Sequence, residues 1–133
     1  MTDISVRIVE ELPATERDAI VSGLLEYNTA QGCRWASHLL AVVARDTTGA
    51  LVGGLLGQSN LGWLFVSALC VAAGHRGRGH GKAILAMAEA EARRRACIGV
   101  YLDTYSFQGR PFYERRGYRL FGELVDCPPG ATK

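Results

Sequence analysis

The sequence predicts an α/β domain, a mixed central sheet with helices on both faces. Short alternating or wholly apolar segments are interspersed with segments whose apolar residues recur at helical spacing. The 133 residues suit a single domain, residues 1–133, at ~100–200 residues per domain. Apolar residues make up 48% of the chain, enough for a core and too many for disorder.

Ile4 to Val9 alternates, with Ile4, Val6 and Ile8 against Ser5 and Arg7, which predicts a short strand. Pro13, with Thr15 as N-cap, opens a helix over about Ala14 to Asn28, in which Ile20, Leu24 and Tyr27 share a face. Gly32 closes that region, and Cys33 to Ser37 reads as a loop or short helix carrying Trp35. Leu39–Ala44 and Leu51–Leu56 form a hairpin about the turn at Asp46–Gly49. A second turn at Ser59–Gly62 leads to Trp63–Val71, a long apolar run that reads as a central strand buried on both faces. A helix follows over about Gly81 to Ala96, with Leu85, Ala88 and Ala92 inward and Glu89/Arg93 and Glu91/Arg95 as outward ion pairs. Gly99–Tyr105 is a strand, Arg110–Arg116 a short helix stopped by Gly117, and Tyr118–Val125 a last strand before Pro128-Pro129-Gly130. The expected order is β-α-β-β-β-α-β-α-β.

Several function classes fall away. The 15 basic and 13 acidic residues leave a net charge of +2, too balanced to argue by itself for a nucleic-acid or membrane protein. Cys33, Cys70, Cys97 and Cys127 have no metal-knuckle or redox spacing and do not cluster with the histidines, so no metal is expected. Unpaired thiols, with no signal-peptide pattern and no apolar run of ~18 residues, suggest a cytoplasmic protein off the membrane.

The chemistry gathers between Leu69 and Lys82. A buried strand runs into the turn Ala73-Gly74-His75-Arg76-Gly77-Arg78-Gly79-His80-Gly81-Lys82 and then into a helix. Helix N-termini present unpaired N–H groups and a partial positive charge, glycines admit an anion to the backbone, and Arg76, Arg78 and Lys82 add charge. The physical reading is a pyrophosphate cradle; His75 and His80 read as surface polar groups beside it. A P-loop does not fit, because Arg76 stands where it needs glycine and Ala83 where it needs Ser or Thr. The dinucleotide fingerprint fails as well, since Gly77-x-Gly79 leads to Lys82 and Gly79-x-Gly81 to Ile84.

Arg76-x-x-Gly79-x-Gly81, between a long strand and a helix, resembles the cofactor signature of the GNAT superfamily of N-acetyltransferases. Ser106-x-x-Gly109-x-x-Phe112-Tyr113 resembles that family's second cofactor segment, and Arg116-Gly117-Tyr118 its usual ending. The resemblance implies acetyl-CoA as co-substrate, in a V-shaped opening between Trp63–Val71 and Gly99–Tyr105. It implies that backbone groups of Leu69, Cys70 and Val71 hold the pantetheine and polarise the thioester carbonyl. Arg76, Gly77, Arg78, Gly79, His80, Gly81 and Lys82 would hold the pyrophosphate, with Ser106 as a further contact where the family commonly has asparagine. Tyr113 takes the position of the general acid that protonates the departing thiolate. Cys70 is read as packing beside the cofactor rather than as a nucleophilic relay.

The resemblance further implies direct attack, in a ternary complex, by a primary amine of a small molecule or peptide lying near Tyr27, Trp35 and Asp103. The alternative is a non-catalytic acyl-CoA-binding module. It is motivated by the lack of a carboxylate at Phe65, Ser67 and Leu69, the strand positions of one parity, where many relatives keep a general base. Asp103 and Glu26 are the candidate substitutes, although Asp103 also reads as a structural hydrogen-bond anchor and the amine could lose its proton to water with no dedicated base. The family's usual last strand is also missing, because only Asp126 to Lys133 follow Tyr118–Val125. An open apolar edge there predicts a homodimer that buries Phe121.

Overall fold

The computed structural model describes residues 3–133, which fall into two compact units, Met1–Ala36 and Ser37–Lys133.

The N-terminal unit is built on α1 (Ala14–Ala30). Pro13, not Thr15, takes the N-cap position, and its carbonyl accepts from the N–H groups of Glu16 and Arg17 at 3.1 and 3.0 Å. At the other end Gly32 donates to Thr29 O and Cys33 to Asn28 O, both at 3.0 Å. That pairing is a Schellman closure, and it needs the positive φ (+81°) that Gly32 supplies. The strand expected at Ile4–Val9 does not form: the segment has no ladder partner, and Ile4, Val6 and Ile8 are all exposed. Alternation defines a face, but a strand also requires a neighbour for its backbone.

The C-terminal unit holds a four-stranded sheet in the order β1 (His38–Arg45), β2 (Leu51–Asn60), β3 (Trp63–Val71), β4 (Gly99–Leu102). The first two pairings are antiparallel and β3–β4 is parallel. In the first turn, Asp46 Oδ1 accepts from Thr48 N, Thr48 Oγ1 and Ala50 N at 2.8, 2.6 and 3.0 Å. Those bonds, the Thr48 hydroxyl first, hold the Asp46 carboxyl below its ordinary pKa. The second turn is tighter than the sequence suggests. It is only Leu61-Gly62, both at positive φ, and it lets β2 run on to Asn60.

The parallel crossover from β3 to β4 is made by α2 (His80–Arg94), which packs on all four strands. Leu40, Val42, Leu55, Leu64 and Val66 meet Ile84, Leu85, Ala88 and Ala92 in the core. At the end of α2, Arg95 reaches across the sheet. Its Nη1 donates to Leu39 O at 3.0 Å and Ser59 Oγ at 3.1 Å, while its Nε keeps the expected Glu91 contact at 3.3 Å. Glu89 instead takes the Tyr118 hydroxyl as its partner.

After β4 comes α3 (Arg110–Glu114) and then the second departure from expectation. Tyr118–Val125 is not a strand; among the described residues its only bridge joins Val125 to Thr132. The tail that was expected to be too short to pair turns back on this segment. Leu124 and Lys133 exchange two backbone bonds at 2.7 and 2.9 Å, and Ser106 N donates to Thr132 O at 2.8 Å. The sheet is accordingly short, as the missing last strand implies.

Leu85 is fully buried, so Leu85→Ala is expected to cost roughly 2–5 kcal/mol in urea unfolding. Met87→Ala, on the exposed side of the same helix, is expected to stay within about 0.5 kcal/mol.

Candidate active site

The site begins where β3 and β4 part. Their pairing runs only from Trp63/Gly99 to Val66/Leu102, so Ser67–Val71 continues without β4 beside it. At the same point Ser67 is bulged out of the β2 ladder, between Leu56/Ala68 and Gly57/Val66. Gly57 permits this: a Cβ there would come 2.6 Å from Phe65 O. Ser67 Oγ donates to Leu56 O at 3.1 Å and holds the bulge.

The bulge moves every later side chain to the other face. Leu64 and Val66 are buried in the core, and after the extra residue it is Leu69 and Val71 that pack against it. Leu69 therefore does not share a face with Phe65 as the parity of the sequence suggests. Ala68 and Cys70 take that face, and Cys70 is exposed. No carboxylate appears there in either register.

Backbone directions follow from the ladder. Ala72 N donates to Val52 O at 2.8 Å. Such bonds recur at alternate residues, so Ala68 and Cys70 bond toward β2, while the N–H and C=O groups of Leu69 and Val71 point to the edge that β4 has left. Val71 O is met from outside the ladder by Arg76 Nε at 2.8 Å. Arg76 thus ties the glycine-rich turn to the end of β3.

The turn enters α2 through Gly77 and Gly79, at φ +75° and +83°. Gly79 is the N-cap, with no side-chain cap bond, and its carbonyl accepts from Ala83 N at 3.1 Å. The N–H groups of His80, Gly81 and Lys82 have no acceptor within the helix. An anion placed over them would also meet the positive end of the helix dipole.

These elements enclose a cavity of about 720 Å³, lined by the end of β3, the turn, Leu102–Tyr105 and α3. That volume is in the usual range for a cofactor-sized ligand. Leu69, Cys70, Val71, Arg76, Gly77, Gly79, His80, Gly81, Lys82, Asp103 and Tyr113 all line it. Arg78 is not part of the lining, nor is Ser106, whose Oγ accepts from Thr132 N at 3.0 Å. Thr104, Tyr105 and Gln108 line the cavity near that point instead. Asp103 pairs with Lys133 Nζ at 3.7 Å. Tyr27 and Trp35 belong to the N-terminal unit, where both are exposed.

Tyr113 is held by its ring. Phe112 meets it edge-on at 5.1 Å, Tyr118 at 5.6 Å, and a Cβ on Gly109 would come 3.3 Å from its Cε2. Among the described residues its hydroxyl has no hydrogen-bond partner. Burial pushes its pKa up, so the phenol keeps its proton at neutral pH. Phe112 also packs under the cradle: a Cβ on Gly81 would lie 3.4 Å from its ring.

Arg116 is a lining residue that sequence reasoning missed. Its guanidinium lies 3.9 Å over the Phe112 ring and Nη1 donates to Phe112 O at 2.8 Å, while its buried Nε has no partner. The i,i+4 spacing of Phe112 and Arg116 on a helix was the available signal.

The model of the acetyltransferase (GNAT) family matches residues 8–118. The chain belongs to that family. A blasticidin-S acetyltransferase from Streptomyces morookaense is 46% identical over 96 residues, 71% of each chain. The crystal structure of an Agrobacterium tumefaciens protein assigned as an acetyltransferase superposes with a TM-score of 0.87 at 33% identity. It covers 97% of this chain and 94% of that one. A Bacillus anthracis protein assigned as a streptothricin acetyltransferase, solved with acetyl coenzyme A, shares the fold at TM-score 0.63 and 19% identity. There the match covers 71% of this chain and 58% of that one. The protein is thus an N-acetyltransferase, and the non-catalytic alternative falls with that result.

Gly79→Val is expected to destabilise the protein by roughly 1–2 kcal/mol, since a β-branched residue is strained at φ +83°. Gly79→Asn, which tolerates that region, is expected to cost about half as much or less; thermal unfolding compares the two.

Proposed function

We propose that the protein moves an acetyl group from acetyl-CoA to a primary amine of a small antibiotic-like molecule, by direct attack in a ternary complex. The observation that carries the reading is one continuous cavity. It runs from the first turn of α2, past Leu69 and Val71, to Tyr113. The residues fit the coenzyme. Three N–H donors and Lys82 suit a pyrophosphate. When bound, acetyl-CoA supplies an activated acetyl thioester.

In this reading the Val71 N–H donates to the carbonyl oxygen as negative charge develops on it. Tyr113 donates its proton to the leaving sulfur. Cys70 borders the coenzyme without bonding to it. Asp103, or water, takes the proton from the amine. The antibiotic class of the acceptor is supported by the name of the 46%-identical relative. Assays with blasticidin S, streptothricin and a peptide amine test it. Transfer to an antibiotic is expected, and transfer to the peptide alone would overturn it.

Acetyl-CoA at ~100 times its Kd is expected to stabilise the fold by about 2.7 kcal/mol. Gly81→Glu, which puts a carboxylate among the N–H donors beside Phe112, is expected to abolish that shift in Tm. An undiminished shift in the variant would displace the cradle.

Tyr113→Phe is expected to lower kcat by about 10²–10⁴-fold with acetyl-CoA affinity unchanged. Because burial raises the Tyr113 pKa, the alkaline limb of the wild-type kcat profile should lie above pH ~10, and the variant should lack it.

We extend the proposal to a homodimer, supported by the exposure of Leu120 and Phe121 on the irregular C-terminal segment. Light scattering should give twice the 14.4 kDa chain mass, reduced to one by Phe121→Glu.

A further inference from the structure

Nothing polar among the described residues orients the Tyr113 hydroxyl. Its direction depends on the rings around it, so the question is what fixes those rings. Phe112 and Gly109 sit on or beside the same short helix and move with it. Tyr118 differs. Its ring meets Tyr113 edge-on at 5.6 Å, and its hydroxyl donates to Glu89 Oε2 at 3.0 Å. Glu89 lies on α2, the helix whose first turn forms the cradle and whose inner face is core. Tyr118 N also donates to Tyr113 O at 3.1 Å, which closes the turn between the two rings.

We propose that Tyr118, anchored by Glu89, is a positioning residue for Tyr113. It holds the phenol at the cavity in fixed register with α2. The inference rests on the reading of Tyr113 as the general acid. The bond to Glu89 persists through the working range of pH, because burial first and the Glu89 carboxylate second keep the Tyr118 hydroxyl protonated. Of the other charged groups, Arg93 opposes this through its charge but is the smallest influence, and Arg116 Nη1 donates to Phe112 O. Losing the anchor frees one ring edge of the acid without touching the N–H groups of the cradle, so turnover and coenzyme affinity should separate.

The test is a double-mutant cycle with Tyr118→Phe and Tyr113→Phe. Thiol release from acetyl-CoA is followed with blasticidin S and, in parallel, with a simple primary amine at high concentration. Kd for acetyl-CoA is measured by calorimetry. Tyr118→Phe keeps the ring contact and removes one hydrogen bond, so kcat should fall about 3- to 10-fold with Kd unchanged. In the Tyr113→Phe background the same change should have no further effect, since the two act as a unit. Glu89→Gln retains an acceptor and should stay near wild type, whereas Glu89→Ala should match Tyr118→Phe. A merely structural role would show instead as independent, multiplicative losses or as kcat and affinity falling together, and either would overturn the inference. If Tyr113→Phe slows the reaction and Tyr118→Phe does not, this inference alone fails. If Tyr113→Phe has no effect, the acid assignment fails and the inference goes with it.

Discussion

Everything at the site depends on β3 losing its neighbour halfway along. A parallel strand normally spends its backbone groups on both sides. Here β4 stops at Leu102, opposite Val66, and the rest of β3 has a ladder on one side only. The free edge leaves the N–H groups of Leu69 and Val71 and the carbonyl of Leu69 outside any ladder, while Arg76 takes Val71 O. The Ser67 bulge falls at the next residue and adds local twist, which is the usual means by which a sheet redirects a strand beside a site.

The glycine-rich turn converts that opening into a binding site. Gly77 and Gly79 allow the chain to reverse and present the first turn of α2 with no capping side chain in the way. A Ser or Asp cap would stabilise the helix and would also occupy the N–H groups that an anion needs. Phe112 then fills the space beneath Gly81 and brings α3, and with it Tyr113, to the far wall. Arg76 serves two ends at once, fastening the turn to Val71 O while lining the cavity.

Much of this was legible in the residues. The bounds of Trp63–Val71 stand as read, although the strand is buried on one face and not on both; the hairpin needed only small extensions, and the inward residues Leu85, Ala88 and Ala92 of α2 are all buried. The two false strands share one cause. Ile4–Val9 and Tyr118–Val125 have the residues of strands but no partner along which to bond, and periodicity carries no information about partners. The bulge was equally invisible, because one extra residue in β3 leaves no mark on composition, yet it reverses the face of Leu69. Ser106 was placed by its spacing within a motif, while its hydroxyl is taken by Thr132, a tail residue twenty-six positions later. Arg116 could have been found from its spacing to Phe112.

The central claim is that coenzyme lies along this one cavity, phosphates on α2 and thioester at β3. Backbone amide chemical shifts during an acetyl-CoA titration test it most directly. The account predicts that the largest changes fall on His80, Gly81 and Lys82 and on Leu69 and Val71, all saturating with a single Kd. Saturable changes centred elsewhere, with the amides of Gly81 and Val71 unmoved, would contradict it.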